Sequence, residues 1–145
     1  MWIYILKLIW LFLPAGFANM APVLFRRINF LNYPVDGGSL WRGKRIFGSH
    51  KTWRGLFFGL ISALAVVYIQ QLLYPYVQSI TMLDYQVNNI WLLGLLLAMG
   101  SLLGDLIRSS FKRRVNIIPG EPWFPFDQLD WMLGSLFFIS FYIKL

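Results

Sequence analysis

Residues 55–74, GLFFGLISALAVVYIQQLLY, decide the fold: twenty consecutive positions without a charge. About 20 predominantly apolar residues are what a helix needs to cross the hydrocarbon of a bilayer. From 56–74 outward, three more apolar stretches follow the same logic. Residues 1–25 are interrupted only by Lys7, and carry Pro14, Asn19 and Pro22. Residues 90–107 are charge-free until Asp105, and residues 129–145 form a shorter stretch that opens with the cluster FDQLD. The expectation is an all-α, polytopic membrane bundle of about four transmembrane helices in a single domain, 1–145. Composition agrees: hydrophobic residues make up 58% and charged residues 13%, about half the charge that covers a soluble domain.

The charges fix the orientation. Arg26, Arg27, Arg42, Lys44, Arg45, Lys51 and Arg54 fall between the first and second stretches. Arg108, Lys112, Arg113 and Arg114 fall between the third and fourth, whereas 75–89 holds no lysine or arginine. By the positive-inside rule both basic loops are cytoplasmic, and the termini face outward. The net charge of +7 thus follows from topology, and no nucleic-acid partner is expected. Tyr74, Tyr76, Tyr85 and Trp91 would form an aromatic belt at the outer boundary. The start, Met1-Trp2-Ile3-Tyr4, lacks the basic region of a signal peptide. With no cysteine and one histidine, His50, thiolate and multi-histidine zinc sites are excluded.

Two groups of residues could carry chemistry. Asp105 ends an apolar helix, and an ionisable residue at membrane depth is a functional candidate. Asp127 and Asp130 are three apart and share one face if FDQLD is helical. Three such carboxylates would suit a hard cation such as Mg²⁺ with phosphate oxygens, or would merely pair with neighbouring arginines and cap a helix. The second group is GKRIFGSHKTWRG, 43–55, in which glycines leave amides free and Lys44, Arg45, Lys51 and Arg54 offer cations to phosphate. It is not a Walker loop, and for a bare basic loop anchoring to anionic headgroups is the commoner reason. His50 could serve as an acid or base. Asn19, between two prolines, hints at a broken helix lining a cavity. Gly55/Gly59 and Gly100/Gly104 permit close helix contact, read as packing within one chain.

In order, LPAGFANMAPVLF, GKRIFGSHKTWRG, LLGDLIRSSFKRR and PFDQLDWMLGSL resemble the successive motifs of the CDP-archaeol synthase family, which is related to the phosphatidate cytidylyltransferases. The resemblance implies a Mg²⁺-dependent cytidylyltransferase that joins CTP to a lipid glycerol phosphate and releases pyrophosphate. It implies that Asp105, Asp127 and Asp130 hold the metal and act in catalysis with Lys51. It implies that Asn19, Lys44, Arg45, Lys51, Thr52, Arg54, Lys112 and Arg113 bind substrate. The archaeal enzymes usually run on into a further span, so a homodimer is a candidate assembly. The alternative is a non-catalytic membrane protein that holds anionic lipids, or a partner, through its basic loops.

Overall fold

The computed structural model describes residues 1–118 and 120–142. Four helices carry the fold: α1 (Trp2–Leu24), α2 (Trp53–Val77), α3 (Ile90–Arg114) and α4 (Phe126–Ser140). The first three are long and apolar enough to cross a membrane. With 15 residues, α4 reaches about 22 Å, short of the hydrocarbon thickness; the end of the fourth apolar stretch, 143–145, lies outside the described residues. Large apolar side chains such as Ile9, Phe17, Leu72, Leu133 and Phe137 are exposed on the outside of the bundle. That surface suits lipid, where exposed apolar side chains cost nothing and each helix satisfies its own backbone polar groups.

Two expectations about helix ends change. Helix α3 continues past residue 107 to Arg114, so Arg108, Lys112, Arg113 and Arg114 ride on its last turns rather than in a loop. Basic residues there complement the C-terminal end of the helix dipole. Helix α2 likewise absorbs Pro75 and ends at Val77, followed by a 3₁₀ turn, Gln78–Ile80.

Helix α1 is not broken at Asn19; it runs through both prolines. Each proline lacks an N–H and frees the carbonyl four residues back. Gln70 Nε2 donates to the one freed by Pro14, Trp10 O, at 2.5 Å. The one freed by Pro22, Ala18 O, faces Gly59, where an added Cβ would stand 3.0 Å from it. Asn19 makes no side-chain hydrogen bond among the described residues and is only half-buried.

The glycine pairs pack inside the chain. Pro22 sits against Gly55, and Leu102 against Gly59. A Cβ on Gly100 would come within 2.4 Å of Gly134 O, and one on Gly104 within 2.3 Å of Asp130 O. Helices α3 and α4 therefore touch backbone to backbone, and Ser135 Oγ adds a hydrogen bond to Leu97 O at 3.1 Å. At the far end Tyr142 OH donates to Asn89 O, so the two helices run antiparallel. Tyr85 is no belt residue: it is 1% exposed, in the core with Leu93 and Leu97. Gln71 binds its backbone carbonyl, tying the loop onto the bundle.

The segment 25–52 is ordered by backbone pairing rather than by helix. A two-stranded hairpin, β1 (Leu40–Trp41) and β2 (Lys44–Arg45), turns through Arg42 and Gly43. Both turn residues have positive φ, 53° and 76°, the geometry that matches the twist of paired strands. Val35 N donates to Lys51 O, and Trp53 N to Tyr33 O. These bonds fix Lys51 beside α3, at the mouth of the bundle.

Candidate active site

The charged end of the bundle converges on Arg108. Its NH2 pairs with Asp105, its NH1 with Asp127, and its Nε stands 2.8 Å from Asp130 Oδ2. One guanidinium thus faces three carboxylates, one per nitrogen. Asp105 reaches it from one turn earlier on α3 (i, i+3). Asp127 and Asp130 reach it from the first turns of α4, which the glycine contact holds against α3. Lys51 Nζ lies 2.5 Å from Asp105 Oδ2, and Lys112 Nζ 3.2 Å from Asp127 Oδ2. Three carboxylates and three cations balance.

The satisfaction of the three acids is uneven. Asp127 also accepts from the Trp123 amide at 2.9 Å. Burial pushes its carboxyl up, but the Trp123 amide, Arg108 and Lys112 outweigh that and hold it below the usual carboxylate value. Asp130, 6% exposed, accepts from the Trp131 amide through Oδ1. Its Oδ2 receives no aligned hydrogen bond, although Arg108 Nε is near. Among the described residues, no three acids close on a point small enough for a metal ion; Arg108 stands between them.

Beside the cluster lies a cavity of about 280 Å³, walled by His50, Lys51, Arg108, Lys112 and Arg113, with the acids Glu121 and Asp127 also on its lining. Arg113 forms no ion pair among the described residues and so presents an uncommitted charge to it. On the other side of Arg108, between α3 and α4, an apolar groove of about 520 Å³ is lined by Ile107, Phe111, Trp123, Phe126, Leu129 and Leu133.

The expected site residues divide. Asp105, Asp127, Asp130, Lys51, Lys112 and Arg113 meet at the cluster and its cavity. Thr52 stands close by, capping α2 through Gly55 N at 3.3 Å. Lys44 binds Arg114 O and Asn116 at the end of α3. Arg45 is paired with Asp36 inside the loop at 2.7 Å. Arg54 binds Arg26 O and Ile28 O, both at 2.8 Å, beyond the end of α1. Asn19 lines neither the cavity nor the groove. The reading of the sequence missed Arg108, counting it as one basic loop residue among several. Its signal was the spacing Asp105-x-x-Arg108, the same three-residue step that joins Asp127 to Asp130.

An ion cluster of this kind adds little stability over apolar packing, and ionisable residues at the end of a lipid-facing bundle are candidates for function. Fold and cluster together define a polytopic membrane protein with a partly buried, charged site at one end of a helical bundle. Residues 1–145 match the model of the CarS-like CDP-archaeol synthase family. The chain is 43% identical to the CDP-archaeol synthase of Pyrococcus furiosus over 135 residues, which is 92% of this chain and 74% of that one. It is 38% identical to that of Pyrobaculum arsenaticum over 136 residues, 93% of this chain and 73% of the relative. A solved structure, of an intramembrane enzyme for archaeal membrane lipid biosynthesis, superposes with a TM-score of 0.74 at 32% identity, covering 92% of this chain and 75% of that one. The chain belongs to the CDP-archaeol synthase family. It is therefore an integral membrane enzyme of the cytidylyltransferase class, using CTP to form a CDP-lipid, and the non-catalytic reading of its basic loops falls away.

Proposed function

We propose that the chain couples CTP to a lipid glycerol phosphate in a Mg²⁺-dependent reaction that releases pyrophosphate. The names of the relatives favour a substrate with archaeal-type, ether-linked chains. A lipid phosphate oxygen attacks the α-phosphorus of CTP. The bond from that phosphorus to the oxygen bridging toward the β-phosphate breaks, and pyrophosphate leaves with that oxygen and its electron pair. A phosphate monoester has its second pKa at about 6, so the nucleophile is ionised at neutral pH and the chain need supply no strong base. What it must supply is compensation for crowded negative charge.

The observation that carries this reading is that the acids of two separate motifs meet on one arginine, beside a cavity to which Lys51, Lys112 and Arg113 contribute cations. The donor chemistry, three carboxylates with Asp130 Oδ2 buried and without a hydrogen bond, suits a hard divalent cation, which would draw the acids together in place of Arg108. Asp105, Asp127 and Asp130 would hold Mg²⁺, which supplies positive charge to the phosphate oxygens. Lys51, Lys112 and Arg113 face the cavity and would bind and orient the triphosphate. The apolar groove at α3 and α4 would receive the chains of the lipid. The basic end would face the cytoplasm, where the positive-inside rule puts it and where CTP is found.

The test is pyrophosphate release by purified protein with CTP and Mg²⁺, across a panel of ether- and ester-linked glycerol phosphates. Turnover is expected with at least one, and highest with the ether-linked members. Protein that stays folded and turns over none of them would sink the reading.

A further inference from the structure

Among the described residues, Arg108 alone lines both the basic cavity and the apolar groove. It stands where a nucleotide's phosphates, arriving from water, would meet a headgroup arriving from the bilayer. It is also the cation held by all three acids, with a different guanidinium nitrogen toward each. We propose that Arg108 is a catalytic residue that exchanges partners: it neutralises Asp105, Asp127 and Asp130 while no divalent cation is bound, and donates to the lipid phosphate once one is.

Charge and geometry argue for the exchange. With Lys51 and Lys112 in place, Arg108 completes a neutral cluster of three acids and three cations. A divalent cation entering the carboxylates makes the guanidinium surplus by Coulomb repulsion. The contact most ready to be given up is the one to Asp130, where Nε and Oδ2 stand 2.8 Å apart and neither makes an aligned hydrogen bond. The side chain is 15% exposed, and the open spaces on its two sides are where it can turn. A guanidinium suits the new partner, since its fork of donors matches phosphate oxygens. Filling the carboxylates by Arg108 also spares the empty enzyme three uncompensated charges near hydrocarbon, which would be costly.

The proposal rests on the cytidylyltransferase reading for its substrate, but the exchange is tested without turnover. In lipid nanodiscs, Mn²⁺ binding would be followed by electron paramagnetic resonance for the wild type, Arg108→Gln and Arg108→Lys, with circular dichroism and thermal melting as checks on folding. Arg108→Gln, freed of the competing cation, is expected to bind Mn²⁺ about tenfold tighter or more; equal or weaker binding overturns the exchange. Should Arg108→Gln not fold, labelling of wild-type Arg108 with phenylglyoxal decides. Reaction is expected to be slow without cation, faster with Mg²⁺, and slowed again by a dialkylglycerol phosphate in the bilayer. Reactivity indifferent to Mg²⁺ overturns the proposal. Inorganic phosphate and water-soluble glycerol phosphate form the control arms: protection by them at equal concentration would mean a general phosphate site and overturn the lipid assignment. In turnover, Arg108→Lys should lose about 10²- to 10³-fold in kcat while its affinity for CTP holds. Wild-type turnover failing on every lipid, with the Mn²⁺ and labelling results as expected, would strike the functional reading and leave the exchange standing.

Discussion

Two buried aspartates, Asp36 in the basic loop and Asp130 on α4, differ in how completely they are satisfied. The side chain of Asp36 is 0% exposed. Its two oxygens accept from the amides of Gly38, Phe47 and Gly48 and from Arg45, all between 2.7 and 3.2 Å. It closes the loop 36–48 around one carboxylate with nothing left over. Asp130 is almost as buried, yet one oxygen lacks an aligned donor, and its cation is shared with two other acids. A satisfied carboxylate–arginine pair is a structural clasp. An over-subscribed arginine among three acids, at a cavity edge, is poised to change partners.

Substitutions at the two aspartates should therefore fail in different ways. The largest effect is expected at the open cluster: Asp127→Asn and Asp130→Asn should each cost about 10³-fold in kcat, with thermal unfolding close to wild type because Arg108 keeps two acids. A loss of stability as large as the loss of rate would make the cluster a clasp after all. Next is the backing that holds it. Gly134→Leu puts a side chain where even a Cβ would meet Gly100 O at 2.1 Å. It should destabilise by about 3 kcal/mol and reduce turnover as α4 moves away from Arg108, read by thermal melting and kinetics on the same preparation. At the clasp, Asp36→Ala should cost about 2 kcal/mol and expose 25–52 to limited proteolysis, while turnover falls only through displaced Lys51.

A pH series isolates the same clasp. Burial pushes Asp36 up, but Arg45 and the three amides hold it below the usual carboxylate value. Its contribution is present above the unfolded value of about 3.9 and disappears as pH falls through the lower folded value. Protection of the Gly38, Phe47 and Gly48 amides against hydrogen exchange should drop over that acidic range, and Asp36→Asn should abolish the dependence. The smallest effect separates two cations that look alike in sequence. Arg54→Gln, outside the cavity, should cost about 1 kcal/mol with kcat unchanged, whereas Arg113→Gln should raise the KM for CTP with little change in stability.

Much of this was legible in the residues. Asp127 and Asp130 sit three apart on a helix and Asp105 ends an apolar one, so spacing and depth marked all three as candidates, and the structure brings them together on Arg108. Where Arg45 and Arg54 point was not legible, because a cation in a basic loop has the same local signal whether it meets a phosphate, a carboxylate or a helix end; here they meet Asp36 and the backbone beyond α1. The hint of a broken helix at Asn19 failed for a related reason: α1 runs on through both prolines. Prolines in a helix predict freed carbonyls, but whether a distant side chain such as Gln70 satisfies them depends on which helix lies alongside.

By itself the sequence determined that the chain belongs in a membrane and which residues are basic, and its ordered motifs pointed to the family. Those properties depend on run length, periodicity and residue order, which are local. Only the tertiary structure decided that Asp105, Asp127 and Asp130 meet on Arg108, and that this arginine divides a basic cavity from an apolar groove. That meeting depends on α3 and α4 approaching backbone to backbone at Gly100, Gly104 and Gly134, a contact between segments about 30 residues apart.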